Sequence, residues 1–416
     1  MKRTLNLLAG VAVVAFMGAC TTGEGADQGP APGTAGMAPM FEVDPLWPQP
    51  LPNHWLVGPT IGVTVDTQDH IWIVHRNTLN QFALTTEIGI VSEVSECCQP
   101  GPPVMEFDQE GNLISSFGGP SPNGEYDWPE SNHGIALDNM DNVWIGGNGQ
   151  SDAHVLKFSR DGRFLGQFGA AGDLAVGMDG ERTLYERDSN SMTSFGRVAK
   201  LTNDAANNEL FVADGYFNKR VAVLDPETGA IKRYWGAYGE RPDDEAGGSL
   251  PRYTVGETPP REFRGPVHCA EPSNDGMVYV CDRAADRVQV FQTDGTFVNE
   301  VIIAPNTLSQ GSTWDIAFSR DPDQTYLYLA DGQNMKVYII LRESMEILTS
   351  FGDGGRQPGL FFAVHSIATD SDGNIYTTET YEGSRLQKFV YLGIGPIPSA
   401  NQGALWPGET HTYGGM

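Results

Sequence analysis

Positive charge is scarce in this chain of 416 residues: 26 lysines and arginines stand against 53 aspartates and glutamates, a formal charge of -27. Binding a phosphate backbone needs a clustered basic face, so the balance argues against nucleic acid as a partner. The acidity reads as solubility in an exposed compartment or as attraction of a cationic substrate, and it names no ligand. Long apolar runs are also missing beyond the N-terminus, so no downstream segment is fit to cross a bilayer as a helix. Cysteine is sparse, at five residues. What the chain does have is 40% apolar and 10% aromatic residues, ample for a core. Length alone suggests two or three domains, but all-β folds run long as single units, so the repeat pattern has to decide.

The N-terminus is patterned for export. "MKR" is a charged start, "TLNLLAGVAVVAF" an apolar stretch too short for an ordinary spanning helix, and "MGAC" sets small residues before Cys20. This resembles a bacterial lipoprotein signal over residues 1–20, with Cys20 carrying the lipid; an ordinary secretory peptide cut nearby is the alternative. The first reading implies a lipid-anchored protein of the cell envelope, on the periplasmic or extracellular side. Residues 21–40, rich in Gly, Pro, Ala and Thr, are expected to form a disordered tether. Outside the cytoplasm thiols tend to be oxidised, which bears on the four cysteines other than Cys20.

One unit recurs from there on. "IGVTVDTQDHIWIVHR" with "PPVMEFDQEGNLISSFGG" is the first copy, and "HGIALDNMDNVWIGGN" with "HVLKFSRDGRFLGQFG" the second. Four more begin at "RVAKLTND", "HCAEPSND", "WDIAFSRD" and "HSIATDSD". Each holds four short strands rich in β-branched and aromatic residues, separated by Asp-Gly, Asn-Asp or Thr-Gly turns. Six such units over residues 41–395 predict an all-β, six-bladed β-propeller, followed by a tail over 396–416 in which His411 is expected to be solvated. Residues 41–57 or the tail after 393 are the candidates for the strand that closes the ring.

Loop lengths pick a working face. The A–B and C–D turns are short, whereas the long insertions, residues 77–101, 173–195 and 240–264, fall in B–C and blade-to-blade connections at the opposite face. Long loops gathered on one end of a rigid scaffold are where binding residues usually sit. The starts of strands A open there. In the register of His133 stand Ile61, Arg197, His268, Trp314 and His365, so histidine occupies blades 2, 4 and 6. Equal register on alternate blades sets three imidazoles about 120° apart around the axis. Nitrogen donors with an open fourth position suit a catalytic zinc ion; three polar residues lining a wet channel are the bland reading.

The ends of strands B add charge to this mouth. Arg76 and Arg283 hold equivalent positions in blades 1 and 4, and Tyr216 lies one residue beyond that register in blade 3. A guanidinium can hold a carboxylate in a fork, and a nearby cation lowers a tyrosine pKa; rim salt bridges to the abundant acids are the other reading.

The blades resemble NHL-type repeats, and across nearly all of residues 42–393 they are similar to the peptidylglycine α-amidating lyase domain, through "IVHR", "NHGIALD", "VADGYFNKR", "PVHCAEP", "CDRAADR" and "VHSIATD". The resemblance implies that His133, His268 and His365 bind zinc and that Tyr216 is the general base. It also implies that Arg76 and Arg283 contact or polarise substrate. The implied reaction splits a peptidyl α-hydroxyglycine into a peptide amide and glyoxylate. Arg76 is expected to keep the Tyr216 phenolate charged and Arg283 to hold the substrate carboxylate. Two departures stand out. The family carries Asp after its third histidine, where it helps hold a structural calcium, but this chain has Ser366, which puts Ca2+ in doubt. And no segment here reads as the copper-dependent hydroxylase that supplies the family's substrate.

Two other classes remain in play. One is a non-catalytic, envelope-tethered propeller holding a peptide or protein partner at the same mouth. The other is a lactonase-type hydrolase, which would need calcium held by Asp, Asn and Glu around the axis and which the histidine register disfavours. Cys269 and Cys281 fall opposite each other on strands A and B of blade 4, as a disulfide or as two buried thiols, and Cys97 and Cys98 are adjacent in a long loop, as a candidate vicinal pair.

Overall fold

The A–B turns show how the repeat folds. In blade 1, Asp66 Oδ1 accepts the backbone N–H groups of Gln68 and His70 at 2.8 and 2.9 Å, while Oδ2 accepts the Trp72 indole N–H at 3.0 Å. Blade 2 repeats this with Asp138, Met140, Asn142 and Trp144. Blade 6 does the same with Asp370, Asn374 and the Tyr376 hydroxyl. One carboxylate thus closes the turn and ties it to a buried ring six residues on, which aligns the two strands.

The computed structural model describes residues 36–408 except 78–97, 170–174, 177–181, 184–186, 246–253, 256 and 308. The chain divides into two units, Met1–Ala35 and Gly36–Met416. The first lies wholly outside the described residues, and with it the export signal, Cys20 and most of the expected tether.

The second unit is a six-bladed β-propeller. Its innermost strands, Thr60–Val65, Asn132–Leu137, Lys200–Asp204, Val267–Pro272, Asp315–Phe318 and Val364–Thr369, each begin a four-stranded antiparallel sheet. They touch in a closed ring, blade 6 against blade 1. No α-helix occurs among the described residues. Apolar clusters fill the seams between blades. One joins Trp72, Val74 and Val104 of blade 1 to Ile135, Ile145 and Leu156 of blade 2.

Closure comes from the N-terminal side. Met37–Asp44 forms the outer strand of blade 6, antiparallel to Arg385–Pro396, with Met37 opposite Pro396 and Asp44 opposite Lys388. The tether expected over 21–40 is therefore too long at its C-terminal end, because residues 37–40 are strand. The physical reason is the alternation in "MAPMFEVD". Ala38, Phe41 and Val43 are buried against Tyr328, Phe351 and Phe389; the alternation runs from Phe41 on, after a register shift between Met40 and Phe41, and the Gly- and Pro-rich composition upstream obscures it. The tail packs as well: Leu405 O accepts the Val43 N–H at 2.5 Å and Gly403 O accepts the Gly352 N–H at 2.8 Å. His411 lies outside the described residues.

Candidate functional site

Strand pairing fixes the register of the axial ring. The A–B partners Val63–Ile73, Ile135–Ile145, Leu201–Val212, Ala270–Val280, Ile316–Leu329 and Ile367–Thr377 are equivalent. Two residues earlier on each strand stand Ile61, His133, Ala199, His268, Trp314 and His365. The sequence register placed Arg197 in blade 3; the structure places Ala199 there. Arg197 lies two residues before the ring position, where its backbone is left-handed (φ 63°), as is that of Ala363 at the equivalent place in blade 6 (φ 54°).

The corrected ring has a simple logic. His133 Nδ1–H donates to Ala199 O at 2.6 Å, His268 Nδ1–H to Trp314 O at 2.5 Å, and His365 Nδ1–H to Ile61 O at 2.7 Å. Even blades supply imidazoles, and odd blades supply the carbonyls that orient them. A proton on Nδ1 leaves the Nε2 lone pair free, which is how a metal-binding histidine is held in the correct tautomer. The three rings are edge-on to one another, with centroids 4.8, 4.8 and 5.3 Å apart, and their ligand nitrogens all lie within 4.8 Å of one another. Burial, and then neighbouring histidine and arginine charge, holds all three well below the usual histidine range, so they are neutral donors at pH 7.

Tyr216 reaches into this ring. Its hydroxyl is 2.9 Å from His133 Nε2 and 3.1 Å from His268 Nε2, and it accepts a hydrogen bond from Arg283 Nη1–H at 3.0 Å. One phenol proton cannot satisfy two imidazole lone pairs, so this donor set is suited to a cation that would engage them together. Three neutral imidazoles fit zinc in donor type and number. The same test fails for calcium. Residue 366 is a serine whose hydroxyl donates to Asp315 Oδ2 at 2.6 Å, and Asp315 Oδ1 is bonded to the Lys200 ammonium at 2.6 Å.

Buried ion pairs position the mouth residues. Asp214 at the end of strand B pairs with Arg220 at 2.8 Å, both side chains fully buried, and Arg220 also donates to the carbonyls of Ser189, Ser191 and Ser194. The loop between them carries Tyr216. It passes so close to blade 4 that a Cβ on Gly215 would lie 2.1 Å from Val267 O, so only glycine fits there. Blade 4 repeats the device with Asp282 and Arg287 around Arg283, and blade 6 with Glu379 and Arg385 around Tyr381.

The two arginines differ from expectation in placement. Arg283 bonds Tyr216 through Nη1 and Gln310 Oε1 through Nη2 at 3.0 Å, with its guanidinium 4.6 Å from the centre of the Trp314 ring. Arg76 instead donates to Asn148 Oδ1 at 3.0 Å and Asn132 O at 3.4 Å. Thus Arg283, rather than Arg76, is the direct partner of the phenol.

Sequence reasoning missed Asn148, Gln310 and Tyr381. Gln310 Nε2–H donates to the Tyr381 hydroxyl at 2.6 Å, extending the chain from Tyr216 through Arg283 to the rim. The signal for Tyr381 was present: it stands two residues after Glu379, as Tyr216 stands two after Asp214. A second acid and histidine cluster, Asp66, His70 and Glu106, sits away from this mouth and is filled by the Arg160 guanidinium, which bonds all three. A cavity of about 580 Å³ also opens on the short-turn face, beyond Lys200. The histidines, tyrosine and arginines converge at the other mouth. Much of the long insertions expected around that mouth falls outside the described residues, as does Cys97 of the expected Cys97–Cys98 pair. Cys269 and Cys281 form a cross-strand disulfide directly behind His268, with Cα atoms 4.9 Å apart.

Fold and site define a β-propeller with three histidines converging on its axis beside a tyrosine and an arginine. The chain is 26% identical over 187 residues to peptidyl-glycine alpha-amidating monooxygenase B of Xenopus laevis, a match covering 43% of this chain and 18% of that protein. No family model matches the chain. Among solved structures, it is similar to a streptogramin B lyase at TM-score 0.47 and 14% identity, covering 85% of this chain and 98% of that one. It is also similar to an auxiliary nutrient binding protein of Bacteroides thetaiotaomicron at TM-score 0.47 and 12% identity, covering 86% and 76%.

Proposed function

We propose that this propeller is a metal-assisted carbon–nitrogen lyase, acting on a peptidyl α-hydroxyglycine or a similar α-hydroxy amide and releasing glyoxylate. One observation carries the reading: the Tyr216 oxygen lies within hydrogen-bond distance of two of the three converging imidazole nitrogens and of Arg283 at once. His133, His268 and His365 would hold zinc, which when bound supplies Lewis-acid polarisation of a substrate oxygen.

The chain's own residues divide the remaining work. Tyr216, as the phenolate, takes the proton of the substrate hydroxyl, because its oxygen is the acceptor set among the three imidazoles. Arg283 donates to that same oxygen and so favours its anionic form while the proton is in transfer. Collapse of the deprotonated hydroxyl to an aldehyde breaks the carbon–nitrogen bond, and the departing amide nitrogen takes back the proton held by Tyr216, which leaves the peptide amide and restores the phenolate. Arg76, at the same mouth and held there by Asn132 through Nε and Asn148 through Nη2, would meet the substrate carboxylate. The roles of the two arginines are thereby exchanged relative to the sequence reading. The resemblance to the amidating enzyme supports this substrate class.

We further place the protein at the cell envelope, on the export pattern of residues 1–20 with lipid on Cys20. Incubating the zinc-loaded protein with a panel of peptidyl α-hydroxyglycines and assaying glyoxylate tests the reaction. Release that is lost in Tyr216→Phe, with zinc content kept, is the expected result, and no release from any substrate overturns it.

A further inference from the structure

One residue further along each strand A, directly beneath the histidine ring, stand Gly62, Gly134, Lys200, Cys269, Asp315 and Ser366. Two of these are oppositely charged, Asp315 buried and the Lys200 side chain 12% exposed. Lys200 Nζ lies 2.6 Å from Asp315 Oδ1 and 2.8 Å from Glu271 Oε1, which projects from two residues deeper in blade 4. The carboxylates are otherwise satisfied by oxygen and nitrogen donors. Ser366 Oγ and the Ile367 N–H reach Asp315 Oδ2 at 2.6 and 3.0 Å, and Thr202 Oγ1 reaches Glu271 at 2.9 Å. Burial alone would strip the ammonium of its proton; the two carboxylates outweigh it and hold that proton more tightly than water does.

The position of this triad on the axis gives it meaning. A space of about 10 Å³, the size of one atom or one water, lies between the histidines and Lys200, Asp315 and Ser366. On the far side Lys200 and Glu271 also line the 580 Å³ cavity that opens on the short-turn face. The triad is therefore the partition between the two mouths of the channel. Two acids around a single point on the axis are a hard-oxygen pair of the kind that holds calcium, and here an ammonium of fixed charge sits between them.

We propose that Lys200 is a built-in cation that takes the place of a second, axial metal ion, so that the protein holds its metal at the histidines alone. This agrees with Ser366 standing where the resembling family has a calcium-binding Asp. The ammonium neutralises one carboxylate charge and closes the channel.

Calcium titration and thermal unfolding of the full-length, zinc-loaded chain decide the matter. Wild type should take up no stoichiometric calcium, and its melting temperature should not move with millimolar Ca2+. Lys200→Ala should melt well below wild type, gain stability with Ca2+, and bind about one calcium per chain. Lys200→Ala combined with Asp315→Asn should lose that response. If Lys200→Ala does not fold alone, recovery of soluble protein on refolding with Ca2+ but not Mg2+ supports the proposal. Stoichiometric calcium in wild type overturns it, and so does a Lys200→Ala variant that is indifferent to calcium or insoluble with and without it.

Discussion

Arg283 and Tyr216 face each other across the seam between blades 3 and 4, with Nη1–H donating to the phenol oxygen at 3.0 Å. The contact is set by two neighbouring loops of the same construction, each running from a buried acid to a buried arginine. Because those ion pairs are fully buried, the loops that carry Tyr216 and Arg283 cannot drift independently. The reactive oxygen is therefore placed by the scaffold.

The two arginines should separate kinetically. Arg283→Lys keeps a charge but loses the fork that bonds both Tyr216 and Gln310, so kcat should fall by about tenfold or more with little change in KM. Arg76→Lys, which makes no hydrogen bond to the phenol, should chiefly raise KM. Steady-state glyoxylate release measures both, and the reverse pattern would return the phenol to Arg76.

The metal ligands should be distinguishable from the residues beside them. Replacing His133, His268 or His365 by Ala should each empty the site by zinc analysis, while Tyr216→Phe should retain the metal, since three imidazoles already supply the protein ligands of an open zinc site. The oriented tautomer sharpens this. His→Gln at the same positions keeps a polar group but no imidazole lone pair and should also release zinc. Retention of full zinc in all three alanine variants would remove the site.

The histidines were legible in the sequence because six units of one repeat could be laid over one another, and because strands A in blades 1, 2, 4, 5 and 6 keep the same count to their turn. Blade 3 was misread by two residues at Arg197, although Ala199 stands as far before the turn acid Asp204 as His133 stands before Asp138. The role of each arginine was not legible. Arg283 begins a single 3-10 turn, Arg283–Ala285, whereas Arg76 follows strand B without one, and a short turn redirects a long side chain by more than register can foresee. The closing strand was half legible: its apolar alternation is there, under a composition that reads as tether.

That strand should be essential to the stability of the whole ring. Phe41 is 4% exposed and packs against Tyr328, Phe351 and Tyr391 of the last two blades. Phe41→Ala should cost about 3–5 kcal/mol, as for buried aromatic truncations generally. Because blade 6 links both ends of the chain, the loss should appear as one cooperative transition shifted to lower denaturant. Partial melting of blade 6 alone, with the remaining blades unchanged, would contradict the shared closure.

His75 gives the fold a pH dependence that can be isolated from the metal ligands. It is fully buried, its Nδ1 accepts the Gly58 N–H at 3.1 Å, and its Nε2–H donates to Pro102 O at 2.9 Å. Protonation would set an Nδ1–H against the Gly58 N–H inside the protein, and burial pushes this histidine down from 6.5 to about 4. The unfolded chain takes up the proton near pH 6.5 and the folded chain only near 4, so the unfolded state binds more protons between those values. Stability must then rise with pH across that window: it is present in full above 6.5 and is lost as pH falls toward 4. A shift of this size corresponds to about 3 kcal/mol. His75→Gln should be less stable than wild type at pH 7, through the altered Gly58 and Pro102 bonds, and the gap should narrow by about that amount by pH 4. Urea unfolding of both proteins at pH 7, 5.5 and 4.5 measures it, and a gap that stays constant across the three would show that burial does not depress His75 relative to the unfolded chain.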